Sequence, residues 1–262
     1  MNITIGKPIQ IREIRLRSTL PSLIPVLLLA TKFLAAGTPL ASINADDLVP
    51  GETPPIQRNW GRAKEDIWRV DNLETYDGTG NCLLFDRQED ATPGSWGVGL
   101  TLPSYNADWL GVRLAFKFEG SATEAKASLE VRTESNNRLY YANIGSSKGK
   151  DPITLVNADG TWKTKAVNYF DREVWNRITW FIPTALGETQ EMRVKLEHYD
   201  RESEDWIQVG KIEGLEIEVT QIPMIFRINF PANTGPIQLR FDDLVIITLD
   251  DAEMASLLNP NF

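Results

Sequence analysis

The sequence predicts an all-β protein, an antiparallel jelly-roll β-sandwich. Three observations lead there. Between Trp60 and Leu249, short apolar stretches alternate with turn residues every ~8–12 positions. That spacing leaves no room for the helical crossovers a parallel sheet requires. The last stretch, Pro236 to Leu249, alternates through Ile237, Leu239 and Phe241 and then runs solidly apolar from Leu244 to Ile247. This is the pattern of a strand half-buried at first and covered on both faces later. A strand of this length at the end of an all-β chain is expected to close the sheet begun near the N-terminus.

Taken in order, residues 1–45 read as a signal peptide. Arg12, Arg15 and Arg17 precede an apolar run from Leu20 to Ala30, and Ala35, Ala36, Gly37, Ala41, Ser42 and Ala45 follow. Basic, apolar, then small is the secretory order. Lys32 interrupts the apolar run, leaving it short of the ~20 residues of a membrane span. Cleavage is expected after Ala45, with Ala36 as second choice. An uncleaved leader would be the chain's one link to a membrane. Residues 46–59, with Pro50, Gly51, Pro54 and Pro55, read as a flexible lead-in.

The sandwich domain is expected over residues 60–250. Ile67–Val70 is a short strand, Asp77–Asn81 a glycine turn, and Cys82–Phe85 a central strand. Trp96–Leu102 alternates. Leu110–Phe118 sets Val112, Leu114, Phe116 and Phe118 on one face and Arg113 and Lys117 on the other. Ser128–Arg132 pairs with Leu139–Ile144 across Thr133–Arg138, and Asn157–Gly160 is a hairpin turn. Val174–Ile182 buries Ile178, Trp180 and Ile182. Met192–His198 pairs with Trp206–Ile212 across the charged loop Asp200–Asp205. Gly214–Val219 and Met224–Phe230 precede the closing strand. Residues 251–262 form a short tail with one helical turn in Asp251–Leu258. The shared phase of the strands assigns Phe116, Phe118, Trp180, Val194, Leu196, Phe226 and Ile228 to one core between two sheets.

The net charge is −9, and residues 1–45 carry Glu13 alone against Lys7, Arg12, Arg15, Arg17 and Lys32. The remainder is therefore more acidic still, which argues against nucleic acid as a partner. Cys82 is the single cysteine, so no internal disulfide forms. Beside Leu83, Leu84 and Phe85 it reads as a buried structural thiol. With His198 the single histidine, a His/Cys zinc site lacks ligands. No nucleophile elbow, P-loop or dinucleotide fingerprint occurs.

Three segments together resemble the concanavalin A-like lectin/glucanase superfamily of jelly-roll sandwiches, especially its laminin-G-like modules. They are Gly78–Asp86, Glu173–Trp180 and Leu239–Ile246, and they span most of the domain. That superfamily holds sugar-binding modules, glycoside hydrolases, polysaccharide lyases and purely structural domains. The resemblance therefore implies fold more sharply than function.

A glycosidase needs two carboxylates on one face. The nearest match is Glu216 and Glu218, but the central aspartate of the family's glucanase strand is missing and Leu215 and Ile217 read as core. A lyase needs a base and a group that neutralises the substrate's carboxylate. His198 and Tyr199 are adjacent and so face opposite ways, and the family's glutamine–histidine strand is absent. Sugar binding needs aromatic faces with polar neighbours. Trp96, Tyr105, Trp109 and Tyr140 are the aromatic candidates, with Arg132 and Arg177 as polar ones. The polar phase Lys117, Glu130, Arg132, Arg177, Thr179, Lys195 and Glu197 is expected to form one concave binding surface, rimmed by Trp96, Tyr105 and Trp109. A structural Ca²⁺ between Asp71 and Asp243 is the metal candidate.

The first functional reading is a non-catalytic carbohydrate-binding or surface-associated module, secreted, periplasmic or on the cell surface, with a polysaccharide or glycan as partner. The alternative is a polysaccharide lyase or glycoside hydrolase of the same fold. The third is a structural adhesion domain without a small ligand.

Overall fold

A computed structural model describes residues 37–52, 58–61, 68–87, 96–119, 126–145, 153–157, 165–167, 171–172, 174–230 and 237–258. The strands are β1 (Thr38–Ile43), β2 (Arg58–Gly61), β3 (Trp68–Asp71), β4 (Cys82–Arg87), β5 (Trp96–Thr101), β6 (Trp109–Glu119), β7 (Lys126–Arg132) and β8 (Arg138–Gly145). They continue with β9 (Ile153–Asn157), β10 (Lys165–Val167), β11 (Asn176–Pro183), β12 (Thr189–Asp200), β13 (Asp205–Glu218), β14 (Ile225–Phe230) and β15 (Ile237–Leu249). One α-helix, α1 (Asp251–Leu258), follows.

These strands form two antiparallel sheets, the jelly-roll sandwich the strand spacing predicted. The larger has the order β13-β12-β11-β6-β15-β4-β3, with β1 added beside β15. The smaller has the order β10-β9-β8-β7-β14-β5-β2. Alternation does the sorting. In β6, Leu110, Val112, Leu114, Phe116 and Phe118 point into the main core; in β11, Ile178, Trp180 and Ile182 do; in β14, Phe226, Ile228 and Phe230 do. All seven residues assigned to the core by phase lie in it. Phe85 of the larger sheet stacks on Phe230 of the smaller, ring centroids 3.6 Å apart.

β15 does close the larger sheet. It pairs with β6 along one side. On its other side it pairs with β4 up to Phe241 and with β1 from Leu244 onward. A bulge separates the two partners, and Asp243 there adopts φ 50°. A left-handed aspartate is uncommon and marks the point where the strand changes neighbours.

Three boundaries differ from the sequence pattern. Residues 38–43, assigned to the leader, are strand β1. Its Leu40, Ala41 and Ile43 pack on the core, and Ala45 beyond them is itself buried. Small residues that resemble a cleavage site also suit a half-covered edge strand. β13 is one strand where two were expected, because Gly214 at φ 75° lets it bend and continue. β2, β9 and β10 were not assigned from sequence, and the turn read at Asn157–Gly160 lies beyond the described residues apart from its first.

A chain starting at Asp46 would lose β1, whereas one starting at Gly37 keeps it. The shorter chain leaves the β15 edge unpaired from Leu244 to Thr248 and uncovers apolar core. We expect it to be less stable by roughly 2–4 kcal/mol, measured by denaturant unfolding of both forms.

Candidate functional site

The two sheets have outer faces of different character. On the smaller sheet, β7 points Ala127, Leu129 and Val131 inward, and β8 points Tyr140, Ala142 and Ile144 inward. The opposite phase is polar, and the registers align it in rows. One row runs Gly99, Arg227, Glu130, Tyr141 across β5, β14, β7 and β8. The next runs Gly97, Asn229, Ser128, Asn143, Thr154, reaching β9.

Glu130 is the centre of this face and is 0% exposed. Its carboxylate accepts from Arg132 Nε at 2.8 Å and Nη2 at 2.5 Å, from Arg138 Nη2 at 2.7 Å and from Ser128 Oγ at 3.1 Å. Four donors thus occupy the lone-pair positions of this carboxylate. Arg132 is aimed by the loop after it. Its Nη1 donates to the carbonyl of Asn136 at 2.8 Å, and Asn136 sits at φ 66°. Arg138 lies over the Tyr141 ring, 4.6 Å from its centroid.

Arg227 lies against the sheet. Its Nη2 donates to Asn229 Oδ1 at 2.8 Å. A Cβ on Gly97 would stand 2.5 Å from Arg227 Nε, so the glycine opens the floor on which this guanidinium rests. Burial, Arg132 and Arg138 push the Arg227 pKa down, and the Glu130 charge opposes them. Tyr141 and Asn143 are half-exposed, and Arg138 retains 39% of its side-chain exposure.

The larger sheet's outer face is mostly covered. At one end Trp109, Phe181, Val245, Ile247 and Leu249 pack with Met254 of α1. At the other, Tyr76, Trp175, Tyr199 and Trp206 pack edge to face around Cys82. Burial pushes the Cys82 thiol up to about 12, as expected of a structural thiol. Between the clusters, Arg177 donates to Glu197 at 2.7 Å and lies 4.4 Å from the Trp206 ring, and Lys195 reaches Glu197 at 2.9 Å. Desolvation and Arg177 together push Arg113 down to about 10. A cleft of about 440 Å³ opens beside Tyr76 and Tyr199, with Glu74, Asp77, Arg201 and Glu204 in its walls.

Asp242, in this second cluster, titrates far from the usual carboxylate range. Burial pushes it up to about 8, with Asp243, Asp46 and Asp77 adding to the effect. In the unfolded chain it titrates near ~3.9. The folded state therefore keeps a proton that the unfolded state has lost, and stability falls as pH rises from ~4 through about 8. Asp242→Asn cannot ionise. It is expected to gain stability on the order of a few kcal/mol at pH 9 and little at pH 4, read from melting temperature against pH.

The expected surface divides between the two sheets. Glu130 and Arg132 lie on the smaller sheet, while Lys117, Arg177, Thr179, Lys195 and Glu197 lie on the larger. Strand phase tells inward from outward, but not which sheet a strand joins. Of the aromatic candidates, Trp109 is 4% exposed and donates from Nε1 to Asp251 at 2.7 Å, anchoring α1. Tyr140 is core. Tyr105 is half-buried, donating to the Pro223 carbonyl at 2.7 Å. None of the three is an open platform. Trp96 begins β5, and its side chain lies outside the described residues. Arg132 is in the smaller-sheet cluster, and Arg177 is buried on the other side of the molecule.

The proposed metal pair does not assemble. Asp71 pairs with Arg240 at 3.0 Å, and Asp243 accepts from Tyr76 Oη at 3.1 Å. β4 and β1, not β3, lie next to β15. Among the described residues no three His, Cys, Asp or Glu side chains are grouped to hold a metal ion. Sequence reasoning missed Ser128, Arg138, Asn143, Arg227 and Asn229. The alternation of β14, with Arg227 and Asn229 between Phe226, Ile228 and Phe230, was the available signal.

No protein-family model and no curated protein sequence matches this chain. Solved structures do. A PL-14 alginate lyase from Aplysia kurodai is similar with TM-score 0.55 and 12% identity, covering 80% of this chain and 99% of that one. A GH131 β-glucanase catalytic domain from Podospora anserina gives 0.51 and 10%, covering 81% and 96%. A carbohydrate esterase from the Shiga toxin-encoding bacteriophage phi24B gives 0.50 and 13%, covering 81% and 99%. The likeness is one of fold. It agrees with the antiparallel jelly-roll sandwich that the two sheets form.

Proposed function

We propose that this chain is an exported, non-catalytic glycan-binding module whose ligand lies on the outer face of the smaller sheet. The observation that carries the reading is the pair of polar rows centred on Glu130 and Ser128. Buried ion clusters add little to stability compared with apolar packing of the same volume. A sheet face that keeps such a cluster around Glu130, beside half-exposed Tyr141 and Asn143, is better suited to recognition than to structure. Guanidinium, amide and hydroxyl groups in fixed positions match the hydroxyls of a sugar. The fold neighbours named as lyase, glucanase and esterase support a carbohydrate-related role in general and do not choose between binding and catalysis. Export rests on the leader pattern, and start of the mature chain at Gly37 would leave β1 intact.

The binding reading is favoured over a lyase or hydrolase by the state of the carboxylates. Glu130 and Glu197 are both occupied by arginine or lysine partners. Neither is placed as a free acid or base. The test is calorimetric titration of the chain starting at Gly37 with neutral and acidic oligosaccharides, alongside reducing-sugar and unsaturated-product assays. Affinities in the micromolar-to-millimolar range, ~4–8 kcal/mol, are expected, with Tyr141→Ala weakening them about tenfold. Turnover in either assay would replace this reading with the enzymatic one, and silence across a broad panel would favour a structural domain.

A further inference from the structure

We infer that the cleft between the β3–β4 connection and the β12–β13 turn binds a ligand through a protonated amine. This site lies on the larger sheet and stands independently of the glycan reading. The cleft holds about 440 Å³, within the range of small-molecule sites. Tyr76 and Tyr199 form two of its walls, with ring centroids 5.4 Å apart and planes at 69° to one another. Rings at such an angle offer a cation aromatic surface from two sides. Tyr76 is half-exposed, and its Oη donates to Asp243 Oδ2 at 3.1 Å. That bond fixes the ring and enriches it in electron density. The same aromatic cluster already takes one cation, since Arg177 lies 4.4 Å from the Trp206 ring.

Two features of the cleft call for such a group. The first is the Tyr199 hydroxyl. Tyr199 is 6% exposed, yet its Oη makes no hydrogen bond among the described residues. Its ring packs on Tyr76 and Trp206. Phenylalanine would pack as well, so the hydroxyl needs a partner from outside the chain. The second feature is charge. Glu74 is taken up by Lys117 and Arg201. Asp77 and Glu204 are exposed and make no ion pair among the described residues. Burial pushes the Tyr199 hydroxyl above its usual range, and the charges of Asp77, Glu204 and Asp205 push it further, against Arg201. The potential at that oxygen is therefore negative. An ammonium group answers both features: its N–H donates to the phenol oxygen, and its charge offsets the two carboxylates. Its methylenes can lie on the rings. The chain's net charge of −9 draws such a cation in.

The experiment titrates the chain starting at Gly37, which keeps every described strand, by calorimetry at about pH 6, where amines are protonated. The probes are spermidine, a glucosamine trimer and its neutral counterpart, an N-acetylglucosamine trimer. At least one amine should bind at a single site about tenfold tighter than the neutral trimer, and should weaken as NaCl rises from about 50 to about 500 mM. Which amine responds tells a polyamine from an amino sugar. Tyr199→Phe, Asp77→Asn and Glu204→Gln should each weaken it about threefold to tenfold. Glu216→Gln removes the same charge from an exposed position of β13 and should leave binding unchanged. Equal amine binding by the wild type and all three cleft variants would overturn the inference. So would a folded chain that binds neither amine, or a neutral trimer bound as tightly as the amines and weakened by the same three substitutions.

Discussion

Replacing Glu130 with alanine is expected to destabilise the protein by roughly 3–5 kcal/mol. Glu130 is fully buried and is the common acceptor for Arg132, Arg138 and Ser128. Without it, three guanidiniums face one another on a partly desolvated surface, and two of them lose their charge-assisted bonds. The loss should shrink in concentrated salt, because screening relieves repulsion between the remaining cations. Paired substitution of Glu130→Ala with Arg132→Ala should cost less than the sum of the two singles, since each single leaves a partner without its counter-charge and the double does not. Denaturant unfolding of the four proteins measures this. A loss below about 1 kcal/mol for Glu130→Ala would mean the cluster is open to water.

Trp180→Ala should cost a similar ~3–5 kcal/mol for a different reason. Trp180 is 0% exposed, at the middle of β11, between Val112 of β6 and Val194 of β12. Its neighbours are strand residues fixed by hydrogen bonds on both sides, so they cannot collapse into the space the indole leaves. Salt should not change this loss, which separates it experimentally from that of Glu130→Ala. A loss below about 1 kcal/mol would place the indole at the surface and shift the register of the whole strand by one.

The contrast between these two sites also marks what the sequence could tell. Trp180 was legible because burial follows from alternation within one strand. β6, β7, β11, β12 and β14 were legible on the same ground. Glu130 was assigned to a polar face, but grouped there with residues of the other sheet, because sheet membership depends on pairings between residues a hundred positions apart, such as Ser128 with Asn229. Trp109 and Tyr140 read as exposed aromatics because their cover comes from elsewhere. α1 covers the first and the opposite sheet the second. Asp71 read as a metal ligand because its partner Arg240 is 169 residues away in the chain. Strand β1 was hidden for another reason: its small residues fit two physical roles at once.

The pairing of β1 with β15 has a consequence for how the protein is made. Among the described strands, β1 comes first in the chain and its partner β15 comes last. Neither the far half of β15 nor the core beneath Ile43 can be covered until the whole domain is present. Closing so long a loop is slow relative to the local hairpins β7–β8 and β12–β13. The nascent chain therefore has its hairpins early and its seam late. Until β15 is made, β1 lacks the strand it pairs with, a state in which a chain can still be threaded through a pore.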